Sequence, residues 1–126
     1  EMSGSQRPIG LTKMKHPEFG EIKYSTVYFK VNEPILFTCF FDNTPDKYVG
    51  VMVEDFESDG KKIQSWYFVG VSQNELRYIE STPGGMKKLF ESSPLWWCNR
   101  NGDVYTWKKQ RFLSSSYSFC DRATLS

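Results

Sequence analysis

One histidine, three cysteines and no long apolar run remove most ordinary active-site chemistry from this chain. His16 is the sole imidazole and lies near the start, in a stretch without apolar periodicity, so a Ser–His or Cys–His pair would require that stretch to fold back onto the domain. Cys39, Cys98 and Cys120 follow no metal-ligand spacing. Cys39 sits in an apolar run and reads as a buried thiol, while a Cys98–Cys120 bridge stays open; the default compartment is a reducing cytoplasm. Nothing approaches the roughly 18 apolar residues of a membrane span, and no secretory apolar region opens the chain. Neither charge dominates: 16 basic against 15 acidic side chains give a net charge of +1, which argues for neither nucleic acid nor an acidic membrane. Internal repeats and low-complexity tracts are also missing.

What the chain does have is rings. Aromatic residues make up 17% of its 126 residues, and ring surface suits pleated sheets. Three apolar strands follow one another at residues 34–41, 47–53 and 66–72, and the first has the continuous run expected of burial on both faces. An earlier strand over residues 20–31 switches its apolar face near Ser25-Thr26, which predicts a bulge. Ser72-Gln-Asn-Glu75 fits a capping box opening a helix that Pro83-Gly84-Gly85 ends; residues 86–91 give a second short helix. Asn101-Gly102 between residues 95–98 and 104–107 is the strongest hairpin turn.

The expected fold is therefore α+β: an antiparallel, strongly curved sheet or small open barrel of six to seven strands, with one or two short helices after strand four. Residues 1–16 read as a flexible segment or expression-vector remnant, residues 17–120 as a single domain, and residues 121–126 as a tail. Residues 111–119 read as a last extended stretch.

Several of these segments carry a resemblance. Gly20-Glu-Ile22, Pro34-Ile-Leu-Phe37, Tyr48-Val-Gly-Val-Met-Val53, Trp66-Tyr-Phe-Val-Gly-Val-Ser72 with Leu76, Met86-Lys-Lys-Leu-Phe90 and Val104-Tyr105 resemble the pattern of a small prokaryotic domain family of unknown function. That family is found in bacteria and on mobile elements, and the match spans about residues 20–107. The resemblance implies a fold and a role in phage–host conflict, such as inhibition of a host or defence protein. It implies no site residue, because every matched position is a core or turn residue. Pro94-Leu-Trp-Trp-Cys98 and the chain beyond Lys108 depart from the pattern.

Candidate chemistry is sparse. Glu54 and Asp55 are adjacent on a strand and would point to opposite faces, unlike the paired acids of a hydrolase. Asp42, Asp46, Asp55 and Asp59 could in principle take a hard cation, but their spacing is no EF-hand. The turn at residues 81–85 could hold an anion by its amides, yet it lacks a P-loop lysine. No cofactor or metal is expected, and no catalytic residue is assigned.

Charge is uneven: residues 42–59 carry Asp42, Asp46, Glu54, Asp55, Glu57 and Asp59 against Lys47, whereas residues 100–122 carry Arg100, Lys108, Lys109, Arg111 and Arg122 against Asp103 and Asp121. These are either solvated loop faces or surfaces that steer a partner. Trp96 and Trp97 are consecutive, so one should face away from the core. Trp96, Trp97, Arg100, Trp107, Lys108, Lys109 and Arg111 are thus the candidate binding residues. They would serve a non-enzymatic module acting through protein–protein contact. The alternative is a single-stranded nucleic-acid-binding domain that stacks bases on the exposed tryptophan.

Overall fold

A computed structural model describes residues 14–110. Seven antiparallel strands follow one another in chain order: β1 (Lys15–His16), β2 (Gly20–Val31), β3 (Glu33–Phe41), β4 (Thr44–Ser58), β5 (Lys61–Val71), β6 (Leu95–Asn101) and β7 (Val104–Gln110). Between β5 and β6 lie two short helices, α1 (Gln73–Glu80) and α2 (Gly85–Ser92). The sheet curls into a nearly closed barrel. At the seam the Trp107 indole N–H donates to the Lys15 carbonyl at 2.8 Å, so the last strand is tied to the first by a side chain.

The antiparallel, barrel-like α+β expectation holds, with one correction. The helices follow the fifth strand, not the fourth, because Lys15–His16 is itself a strand. Its partners are Glu21 and Gly20, reached through a tight turn that ends on Gly20 at φ 88°, a left-handed conformation that glycine adopts without steric cost. Residues 14–16 therefore belong to the fold rather than to a loose leader. The extended stretch at residues 111–119, the tail, Arg111 and Cys120 with its possible bridge lie outside the described residues.

Curvature has an identifiable source. Register shifts occur in β2 between Tyr24 and Thr26, between Val27 and Phe29 and between Phe29 and Lys30; β3 adds one between Cys39 and Phe41, and β4 one between Met52 and Glu54. Bulges bend a strand and increase its twist, which lets a plain meander close on itself. The first falls at the face switch read from the sequence. There the Thr26 amide donates to Thr38 Oγ1 at 3.1 Å.

Both faces of the curled sheet are buried, which explains the continuous apolar runs of β3 to β5. Ile35, Phe37, Cys39, Phe41, Tyr48, Met52, Trp66, Phe68 and Cys98 fill the barrel interior. On the outer face Leu36, Val49, Val51, Tyr67 and Val69 pack under Leu76, Ile79, Met86 and Phe90 of the helices. The capping box forms as the sequence requires: the Glu75 amide donates to Ser72 Oγ at 3.1 Å, and the Ser72 amide to Glu75 Oε1 at 2.8 Å. Tyr28 of β2 donates its hydroxyl to the Glu80 carboxylate, joining the outer face of the sheet to the end of α1.

Candidate functional site

Alternation along β6 separates the two neighbouring tryptophans. Trp96 packs with the interior cluster and Trp97 with the helix-covered cluster. Each carries its own lysine from β7: Lys109 Nζ lies 5.4 Å from the Trp96 ring centre and Lys108 Nζ 5.6 Å from that of Trp97. The pairing Trp96–Lys109 and Trp97–Lys108 follows from the β6–β7 register, which runs without a shift. Trp107 shares the interior face with Trp96, their rings 6.5 Å apart. Arg100 is at the other end of the barrel interior, donating to Gln64 Oε1 at 3.0 Å and to the Gly102 carbonyl at 2.7 Å. Of the residues singled out from sequence, the fold thus gathers Trp96, Trp107 and Lys109. It places Trp97 and Lys108 on the opposite face and commits Arg100 elsewhere.

The Arg100 end is a polar plug. Gln64, fully buried, donates through Nε2 to Glu33 Oε1 at 3.0 Å while it accepts from Arg100. Lys62 reaches Glu33 at 3.3 Å and Asp55 at 3.8 Å. One amide thus links Arg100 to the two acids, and Lys62 pairs with both acids directly. Every partner is engaged, so the plug closes the barrel and offers no free base or nucleophile. Glu54, on the other side of β4, accepts instead from Ser65 at 2.9 Å. Asp42 is held by Lys23 at 3.3 Å, and among the described residues no group of three or more His, Cys, Asp or Glu side chains is placed to bind a metal. Burial pushes the Cys39 and Cys98 thiols well up, which keeps them protonated and poor as nucleophiles.

The Trp96 end is open. Pairing between β5 and β6 stops at Phe68 and Trp96, so β5 runs on to Val71 with no β6 partner beside it. The gap is a cavity of about 360 Å3 walled by Tyr48, Phe68, Gly70, Pro94, Leu95, Trp96, Lys109 and Gln110. Its walls are largely apolar, with an ammonium at one side. The Gln110 side-chain oxygen, buried, finds no hydrogen-bond partner among the described residues. A larger groove of about 570 Å3 runs between α1 and α2, but its one ring is the exposed Tyr78 and it shares no residue with the tryptophan cluster.

Sequence reasoning missed Tyr48, Phe68, Gly70 and Gln110 as a set, because only the early end of the β5–β6 pairing brings them together. The one local signal was Gly70, a residue without a side chain inside an otherwise bulky strand.

Behind Trp96 lies the residue that the sequence set aside. His16 is 2% exposed, stacked on Phe19 at 4.0 Å and edge-on to Trp96 at 4.5 Å and Trp107 at 4.8 Å. Its Nδ1 accepts from the amides of Glu18 at 3.0 Å and Phe19 at 3.1 Å, so the proton of the neutral ring sits on Nε2, which has no partner among the described residues. Burial lowers its pKa below the ordinary 6.5, partly opposed by the Glu18 carboxylate. A depressed histidine pKa means that the unfolded chain binds the proton first. The stability that depends on neutral His16 is present above pH 6.5 and is lost as pH falls from there toward the folded-state value. Urea titrations between pH 7.5 and 5 should show stability falling by up to about 1.4 kcal/mol per pH unit in that window. His16→Phe should flatten the slope; an unchanged slope would assign it to other groups.

No family model, no curated protein and no solved structure matches this chain.

Proposed function

We propose that this domain is a non-enzymatic binding module that works through protein–protein contact, with the Trp96 cavity at the centre of its contact surface. The observation that carries this is the cavity's make-up: an open concave site walled by Tyr48, Phe68 and Trp96, with Lys109 on the Trp96 face. Concave aromatic patches rimmed by a charged side chain are where protein interfaces concentrate their energy. Arg100 is taken up by Gln64 and the Gly102 carbonyl, and Glu33 and Asp55 by Lys62, so these groups offer no competing catalytic set.

Single-stranded nucleic acid is the second reading, favoured by the lysine over each tryptophan. It fits less well. Lys108 and Lys109 lie on opposite faces of the sheet and Arg100 is at the far end, so these bases form no continuous track for a phosphate backbone. Resemblance to a mobile-element family supports the finer proposal of a partner in phage–host conflict. A cytoplasmic setting is consistent with two buried thiols. Among the described residues no helix is long and apolar enough to cross a membrane.

The test is an affinity capture at low salt with the wild-type chain and with Lys109→Glu, labelled RNA and DNA oligonucleotides being offered in parallel. The expected result is a protein retained by the wild type and reduced about tenfold by charge reversal, the effect of turning one rim attraction into a repulsion. Retention of oligonucleotides in place of protein, or recovery of no protein at all, would overturn the proposal.

A further inference from the structure

The socket that holds His16 also supports the Trp96 cavity. The imidazole touches Trp96 directly, and each of the other two ring walls meets a member of the socket: Tyr48 lies 6.1 Å from Phe19, and Phe68 lies 5.3 Å from Trp107. All three aromatic walls therefore rest on His16 or on rings that it packs against. What fixes His16 is local. β1 pairs with β2 over Lys15 and His16 alone, with one further bond from the Ile22 amide to the Met14 carbonyl at 3.2 Å. Across the seam, the Trp107 bond to the Lys15 carbonyl is the single hydrogen bond from β1 to β7 among the described residues.

The Nδ1 lone pair carries the mechanism. It accepts from the Glu18 and Phe19 amides at once, so it holds them only while unprotonated. A proton taken from solvent at Nδ1 turns the acceptor into a donor aimed at two donors, and leaves a cation in a socket of rings. Relief requires the ring to leave. We infer that His16 is an acid-operated latch: protonation at Nδ1 expels the ring, β1 detaches from β2 and from Trp107, and the Trp96 cavity loses its support. The rest of the sheet stays folded, because the long ladders from β2 to β5 and the helix-covered face do not depend on β1. The inference rests on the protein-contact reading above for what the latch regulates, namely partner binding at that cavity.

Charges around the socket set the window. Glu18 in the turn favours the cation, and Lys109 of β7, over Trp96, opposes it. Phe41 of β3 brings no charge, and Asp42 beyond it is paired with Lys23 at 3.3 Å. Lys15 and Glu21 alternate to the exposed face. Burial raises the Tyr48 phenol above its usual 10, so it stays neutral. Burial of His16 outweighs Glu18, so the closed latch binds its proton more weakly than the open one, whose ring titrates near the ordinary 6.5. The closed form is thus fully favoured above pH 6.5. Each pH unit below it multiplies the open-to-closed ratio by up to about ten, until the closed-state value is reached.

The experiment is an NMR titration of the full labelled chain from about pH 7.5 to about pH 5. Below pH 6.5 the Glu18, Phe19 and Ile22 amides and the Trp107 indole N–H should shift or broaden, and with them the Gly70 amide and Trp96 indole at the cavity. The Val49 and Val69 amides of β4 and β5 should keep their dispersed positions. His16→Asn keeps a side-chain acceptor for the two amides and takes up no proton, so its spectrum should not change over the window. His16→Phe, which fills the ring socket, serves the same purpose should the asparagine variant unfold. Collapse of the Val49 and Val69 signals together with those of β1 would mean global unfolding and would overturn the latch. So would the same shifts in the His16 variants, a His16 ring that titrates while keeping its contacts to Trp96, or no movement down to about pH 5. A partner captured equally at both ends of the titration, with the latch seen open at the acid end, would overturn the gating. A latch that opens in a chain capturing no protein would support the device and overturn the protein-contact reading alone.

Discussion

Gly50→Ala should destabilise this domain by about 3 kcal/mol, at the upper end of what overpacking a filled core costs. Gly50 lies on β4 between Phe37 of β3 and Phe68 of β5, its direct partners in the sheet. A methyl group built there would sit 2.5 Å from Phe37 Cε2 and 2.8 Å from Phe68 Cε1, both inside van der Waals contact. Neither ring has room to move. Both are essentially unexposed, packed 6.0 Å apart in an edge arrangement, and Phe68 also meets Phe41 and Trp107. Interiors are packed like crystals, so displacement passes from ring to ring along the barrel axis. The unfolding midpoint should drop by roughly 10 °C or more. Phe37→Leu in the same chain should recover part of the loss. A double-mutant cycle should show a favourable coupling of about 1 kcal/mol, and a coupling near zero would show that the methyl is accommodated some other way.

That glycine also shows how much of the fold could be read in advance. Local alternation and turn chemistry placed β2 to β7, the capping box at Ser72 and the bulge near Ser25-Thr26, because each is decided by residues a few positions apart. Burial of β3 on both faces was legible for the same reason. The strand β1 was not. Two residues carry no period, and His16 is polar; it is buried only because Phe19, Phe41, Trp96 and Trp107, which come from four different segments, surround it.

For the candidate site the divide is similar. That Trp96 and Trp97 face opposite ways follows from the two-residue period of a strand. Which of them opens onto a cavity depends on where β6 stops pairing with β5. Arg100 looked like a member of the same basic group because it is close in sequence to Lys108 and Lys109. The barrel places it at the other end of the interior instead, against Gln64, which in turn binds Glu33, both distant in the chain.

Those distant partners make the second large effect. Gln64→Leu should cost about 3 kcal/mol, because it removes one amide that serves three charged groups at once, Arg100, Glu33 and Asp55. With leucine there, Arg100 loses one of its two acceptors and keeps the Gly102 carbonyl, and the Glu33 carboxylate, 7% exposed, keeps only Lys62 at 3.3 Å among the described residues. The loss should appear in chemical denaturation as a lower midpoint with an unchanged slope. Gln64→Glu separates the charge argument from simple packing, since the side chain keeps its size. It offers Arg100 an opposite charge but sets a carboxylate against Glu33 and Asp55, which now receive hydrogen bonds from the Gln64 amide at 3.0 and 3.4 Å. Like charges at that range raise a carboxyl pKa above its unfolded value. A raised folded-state pKa stabilises at low pH and is lost as pH rises, so the penalty of Gln64→Glu relative to wild type should shrink as pH falls through the carboxylate range. A penalty independent of pH would mean that the plug acts through shape alone.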